Sequence, residues 1–279
     1  SCEIDHRKGP TMAQPQEQDR TFLAKDDLIF IDFDGTITKV DTGIAVINAL
    51  DLDEAWEVEN EWRAGKIDSM ECLSRQWGMV DLMPRHVYKL IDSLRVDQNF
   101  NLLAEGAMEI GAGLVVVSDG LDFYIKRILG SMGWDVCPGH RVIDRPDDCI
   151  PVFANTARVT DDGITIEFPH VNEECGQCGN CKKSHLERLR EDFNQIVYIG
   201  DGHSDKCAAR HADLIFAKSH LAEDLDRDGL SYIAFDTLQD VCDVLFEPYT
   251  QQTEPVAPEN AGLKNSCDKY TEVGVDRYE

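Results

Sequence analysis

Short runs of consecutive apolar residues, those at 28–31, 114–117, 196–199 and 214–217 among them, punctuate a chain whose intervening segments repeat apolar positions every three or four residues. A continuous apolar run marks a strand buried on both faces, and the three-to-four spacing marks a helix with one inner face. Strands alternating with helices predict an α/β fold built on a doubly wound parallel sheet. The helical stripes are Ala55, Val58 and Trp62; Val87, Leu90, Ile91 and Leu94; Tyr124, Ile128 and Met132; Leu186, Leu189 and Phe193; and Leu238, Val241, Cys242 and Leu245. Asp68 with Glu71, and Ser184 with Glu187, have capping-box spacing and predict helix starts at 69 and 185.

Some sixty helical residues between the first two strands exceed an ordinary crossover and predict a small inserted helical cap over residues 44–105. The tryptophans within it, Trp56, Trp62 and Trp77, are expected to pack in its core. The catalytic core is then expected over 23–43 and 106–248. Alternating residues on either side of Asp161-Asp162-Gly163 predict a β-hairpin excursion between 151 and 169. Residues 1–22 and 249–279 are polar and predict flexible N- and C-terminal tails.

Composition narrows the partners. The 279 residues carry 53 acidic against 27 basic side chains, a formal charge of −26. Such a field repels nucleic acid and anionic membranes, and it also fits a protein working in high salt. No run of eighteen apolar residues and no apolar N-terminal core occur, so the expectation is a cytoplasmic protein without membrane association, as a monomer or homodimer. In that compartment the 10 cysteines read as thiols rather than as a disulfide framework.

The candidate chemistry lies where the apolar runs end. The first run exits into Asp32-Phe33-Asp34-Gly35-Thr36. On an alternating strand Asp32 and Asp34 would point the same way, a pair of oxygen ligands for Mg²⁺ with one carboxylate left to act as nucleophile. The second run exits into Ser118-Asp119-Gly120, a hydroxyl and glycine at a strand-to-helix turn suited to phosphate, although Ser118 could equally cap the helix. The third exits into Gly200-Asp201-Gly202-His203-Ser204-Asp205. A doubly wound sheet gathers such residues at the carboxyl ends of its strands. With Lys182 they make a phosphoryl-transfer site, in which a metal and a lysine neutralise phosphate charge while a carboxylate attacks. Neither G-x-x-x-x-G-K-[ST] nor G-x-G-x-x-G occurs, against a P-loop enzyme or a dinucleotide fold.

Cys175, Cys178 and Cys181 form two overlapping C-x-x-C steps just before Lys182. They supply three of the four ligands of a structural Zn²⁺ site, with His170, Cys149 or Cys137 as candidates for the fourth, or else a tight turn that presents Lys182.

Asp32-Phe-Asp34-Gly-Thr36, Ser118, Lys182 and Asp201 to Asp205 resemble, in order and spacing, the four motifs of the haloacid dehalogenase (HAD) superfamily of phosphatases. The cap between the first two motifs is similar to the phosphoserine phosphatase branch. Asp41 nine residues after Asp32, Phe168-Pro169-His170 and the cysteines before the lysine resemble the methionine-salvage enol-phosphate phosphatases and their relatives. The resemblance implies a Mg²⁺-dependent phosphatase acting on a small phosphorylated metabolite through an aspartyl-phosphate. It implies Asp32 as nucleophile, Asp34 as acid and base, Ser118 and Lys182 (Lys183 failing that) on the phosphoryl oxygens, and Asp41 and the Gly120 amide on the substrate. Mg²⁺ would lie with Asp32, the Asp34 carbonyl and Asp201, supported by Asp205. Phosphoserine, phosphocholine and phosphoethanolamine are alternative substrates. A zinc-binding regulatory module with a vestigial site is the non-enzymatic alternative.

Overall fold

The computed structural model describes residues 22–80, 84–143, 149–160, 163–174 and 176–246. Both expected tails, apart from Phe22, and the Asp161-Asp162 turn lie outside them.

The first apolar run forms β1 (Leu28–Asp32), buried at every position. It pairs in parallel on one side with β2 (Gly113–Leu121) and on the other with β6 (Ile196–Gly200). Between β2 and β6 the chain adds β3 (Asp135–Pro138), β4 (Cys149–Thr160) and β5 (Gly163–Glu167). Beyond β6 it adds β7 (Leu214–Ala217) and β8 (Ile233–Ala234). The strand order β3-β4-β2-β1-β6-β7-β8 is that of a doubly wound sheet, with β5 attached antiparallel to β4. Successive strands are added on one side of β1 and then on the other, and such a switch in strand order is where these sheets bind ligands.

Strand alternation divides the core. Ile29, Ile31, Leu114, Val116, Val197 and Ile199 face one layer. That layer holds α5 (Asn99–Ile110), α6 (Asp122–Ser131) and α10 (Leu238–Phe246). Leu28, Phe30, Val115, Val117, Ile196 and Tyr198 face the other. There lie α7 (Lys182–Leu189), α8 (Lys206–Ala209) and α9 (Ser219–Asp228).

The expected insert is helical: α1 (Thr42–Ala49), α2 (Asp53–Arg63), α3 (Ser69–Gly78) and α4 (Pro84–Ser93). Asp68 caps α3 by accepting from the Glu71 amide. Trp77 is buried against Tyr124 and Phe123. The base of the insert is pinched by an antiparallel bridge between Thr38 and Val96 and by the Lys39–Asp97 ion pair. Beyond the pinch, α5 returns to the sheet and packs on α10, with Gly106 against the Phe246 ring. We place the limits of the insert at this pinch.

The structure corrects the expectations at four points. β4 is more than a hairpin arm: its first half is a buried parallel strand between β3 and β2, and only residues 156–160 pair with β5. The edge strand β3 has no apolar run and gave no signal, and β8 lies within the short run Tyr232-Ile233-Ala234-Phe235, where no strand was expected. Helix α7 starts at Lys182, three residues before the expected start, because Ser184 uses its hydroxyl on the Cys181 sulfur instead of capping. Cys137 and Cys149, taken as thiols, form a disulfide between β3 and β4. Among the described residues no helix is long and apolar enough to cross a membrane.

Candidate active site

Register sets the geometry. Asp32 pairs with Val117 of β2, and Ile31 with Ile199 of β6, so Asp32, Ser118 and Asp201 emerge together at one edge of the sheet. The Phe33 amide then turns back to donate to Asp32 Oδ1 at 2.7 Å, ending β1. Gly35 follows with φ +81°, and a Cβ there would lie 2.2 Å from Asp201 Oδ2. Only glycine permits both the turn and the approach of Asp201.

Asp32, Asp201 and Asp205 each offer an oxygen within 4.8 Å of the others, the one such group of three acidic, histidine or cysteine ligands among the described residues. Lys182 bridges Asp32 Oδ1 and Asp205 Oδ1, both at 2.6 Å, with all three side chains buried. Asp205 is saturated: Oδ1 also accepts from the Tyr198 hydroxyl, and Oδ2 accepts from the Asp201 and Gly202 amides. Asp201 is held by the Thr36 hydroxyl at 2.7 Å.

The charges do not balance. Burial and then Asp205 push the Asp32 carboxyl well above the usual range, against the opposing pull of Lys182. Burial and Asp205 push Asp201 up to about 6. Lys182 moves the other way: burial disfavours its charge, but Asp205 and Asp32 outweigh that and hold it protonated. One ammonium cannot serve three carboxylates, and the oxygen donor set with this surplus negative charge fits a hard divalent cation such as Mg²⁺.

Asp34 faces away from this group. The strand ends at Asp32, so the expected alternation does not extend to Asp34. Its Oδ1 accepts from the Thr42 amide at 3.0 Å, and its Oδ2 accepts from the Tyr124 hydroxyl at 2.9 Å and the Ser118 hydroxyl at 3.3 Å. Its carboxylate is therefore outside the metal group in which it was expected. Asp41, exposed at the head of α1, accepts from the Ile44 amide. Desolvation of the carboxyl and then the charge of Asp34 push its pKa upward.

Ser118 does not cap the following helix, whose first flanking residue is Leu121. Its Oγ accepts from the Gly120 amide at 2.9 Å, so the amide expected to touch substrate is engaged by Ser118. Lys183 pairs outward with Glu187. A Cβ on Gly120 would lie 1.7 Å from Tyr124 Oη and 2.6 Å from Asp34 Oδ2. Gly120→Ala is expected to displace Asp34 and lower kcat about 100-fold. Adding Tyr124→Phe should recover part of the loss, and steady-state hydrolysis by the single and double variants checks this.

The zinc site finds no support. Cys175 lies outside the described residues, and neither Cys178 nor Cys181 belongs to a metal-ligating group of three among those described. Two candidates for the fourth ligand, Cys137 and Cys149, are consumed by their disulfide. The third, His170, packs edge-on to Phe153 and His185. Thr36, Tyr124, Tyr198 and Asn180 belong to the site but were not anticipated. Tyr124 reads as a core stripe residue, and only Thr36, inside the first motif, had a local signal.

A family model described as Putative Phosphatase matches residues 27–222. The chain is 26% identical over 220 residues to a 2-hydroxy-3-keto-5-methylthiopentenyl-1-phosphate phosphatase of Bacillus cereus, covering 76% of this chain and 93% of that protein. It is 26% identical over 217 residues, with the same coverage, to the protein of that name from Bacillus thuringiensis. Among solved structures it is similar to a phospho-aspartyl intermediate analogue of phosphoserine phosphatase, with TM-score 0.57 and 23% identity over 78% of this chain and 98% of that one. A HAD family hydrolase from Salmonella enterica serovar Typhi is similar with TM-score 0.61 and 18% identity over 81% and 73% of the two chains. At these identities the solved structures speak for the fold alone.

Proposed function

Because the chain belongs to the putative phosphatase family, we propose that it hydrolyses a small phosphomonoester through a phosphorylated Asp32. The observation that carries this mechanism is Asp32 grouped with Lys182 and Asp201, with Asp34 held apart from them by the Thr42 amide and the Tyr124 and Ser118 hydroxyls.

Both hydrogen bonds to Asp32 fall on Oδ1, from Phe33 and Lys182. Oδ2 then attacks phosphorus as the bond to the alcohol oxygen breaks. Asp34 delivers a proton to that departing oxygen, and afterwards takes one from the water that cleaves the aspartyl-phosphate. The Tyr124 and Ser118 hydroxyls orient Asp34 in the resting site. Lys182 and the Ser118 hydroxyl hold phosphoryl oxygens as charge builds on them. Mg²⁺ would be held by Asp32, the Asp34 backbone carbonyl and Asp201, and would supply the positive charge this group lacks. Asp205, saturated by its own partners, fixes Lys182 and the Asp201 turn.

The curated relatives favour the methionine-salvage enol phosphate as substrate. A second class, amine-bearing phosphate esters, is favoured by the acidic lining. Asp34, Glu59 and Asp201 surround Asp41 closely enough to raise it. Within that class phosphoserine, phosphoethanolamine and phosphocholine are the candidates. Phosphate release from a panel of these esters, with Mg²⁺ and with EDTA, tests the proposal. Selective release that EDTA abolishes is expected. Absence of release from every ester by folded protein would overturn it.

A further inference from the structure

The turn that carries Ser118 and the helix that carries Lys182 are separate in sequence, and Asn180 joins them. Its Nδ2 donates to the Ser118 carbonyl at 2.7 Å and to the Phe153 carbonyl at 2.9 Å. Its backbone amide donates to Asp119 Oδ1 at 2.8 Å. Two carbonyls on Nδ2 fix the orientation of the amide, so Oδ1 faces His185 Nε2 at 2.6 Å. Arg188 can only donate, and it meets His185 Nδ1 at 2.7 Å, so Nδ1 accepts and Nε2 carries the proton given to Asn180. The imidazole is buried and stacked on Phe153 at 3.7 Å. Burial, then His170 and Arg188, push its pKa down to about 3, which keeps this neutral tautomer.

We propose that His185 is a positioning residue for phosphoryl binding: by holding the Asn180 amide, it sets the distance between the Ser118 turn and Lys182. The inference rests on the phosphatase function proposed above. His185 lies one helical turn beyond Lys182, on the Phe153 side of α7. Its contacts lie at the phosphoryl end of the site. Its effect therefore depends on phosphate geometry and not on the alcohol, unlike that of a residue in the insert.

The test compares His185→Leu, which removes the donor, with His185→Gln, whose amide can still donate to Asn180. Phosphate release from at least two chemically different esters, inhibition by inorganic phosphate and thermal midpoints are measured on each. His185→Leu is expected to lose about 10- to 100-fold in kcat/KM, equally for every ester, with weaker phosphate inhibition. His185→Gln should return to within a few-fold of wild type. If the leucine variant does not fold, Asn180→Asp, which replaces the donor to Ser118 by an acceptor, carries the same expectation. Wild-type kcat/KM and phosphate inhibition in a folded His185→Leu or Asn180→Asp variant would overturn the positioning role. So would a glutamine variant as impaired as the leucine variant, or losses that differ between esters. Absence of turnover by the wild type overturns the proposed function instead, and the two failures are told apart by that control.

Discussion

Replacing Asp32 by Asn is expected to lower phosphate release by about 10⁴-fold or more while leaving the fold intact, because it removes the attacking atom and little else. The substitution preserves size, and an asparagine can still accept from the Phe33 amide, which holds Asp32 Oδ1 at 2.7 Å. Lys182 retains Asp205 at 2.6 Å. Removing one negative charge also relieves the mutual repulsion that raises Asp32 and Asp201. In EDTA the thermal midpoint of the variant should therefore equal or exceed that of the wild type. Mg²⁺ should raise the wild-type midpoint by mass action and raise the variant's less. Turnover retained within tenfold would exclude Asp32 as nucleophile. A large fall in midpoint would show that its charge is needed for the fold.

The second large effect is on stability. Lys182→Met leaves Asp32 and Asp205 buried, at 6% and 0% side-chain exposure, without their common cation. Removing one member of a buried ion group costs about 3–5 kcal/mol, which for a domain of this size lowers the thermal midpoint by roughly 10 °C. The buried carboxylates can recover part of this by taking up protons, so the deficit should shrink as the pH is lowered. Adding Asp32→Asn to Lys182→Met should restore part of the stability and none of the activity. Lys182→Arg should not restore activity, since the larger planar guanidinium does not put a compact charge at the same point between the two buried carboxylates. An unchanged midpoint in Lys182→Met, followed by scanning calorimetry in EDTA, would refute the shared-cation account.

The sequence by itself determined the class of fold and the parts of the site. Short apolar runs alternating with helical spacing read as buried strands, and carboxylates placed where those strands end collect at one edge of a parallel sheet. Asp32, Ser118 and Asp201 were legible for that reason, and Lys182 as a cation presented from a tight turn ahead of a helix. Interactions between residues far apart in the chain were not. Asn180 and His185 carry no local pattern, because their role comes from reaching Ser118 and Phe153 across the sheet. The direction of Asp34 depended on β1 stopping two residues earlier than its alternation implied. The pairing of Cys137 with Cys149 depended on the register of an edge strand with no apolar run. Periodicity records which residues leave water, an event each segment undergoes with its own pattern. Which atoms then meet is set by strand order and register, and these exist only once the sheet is assembled.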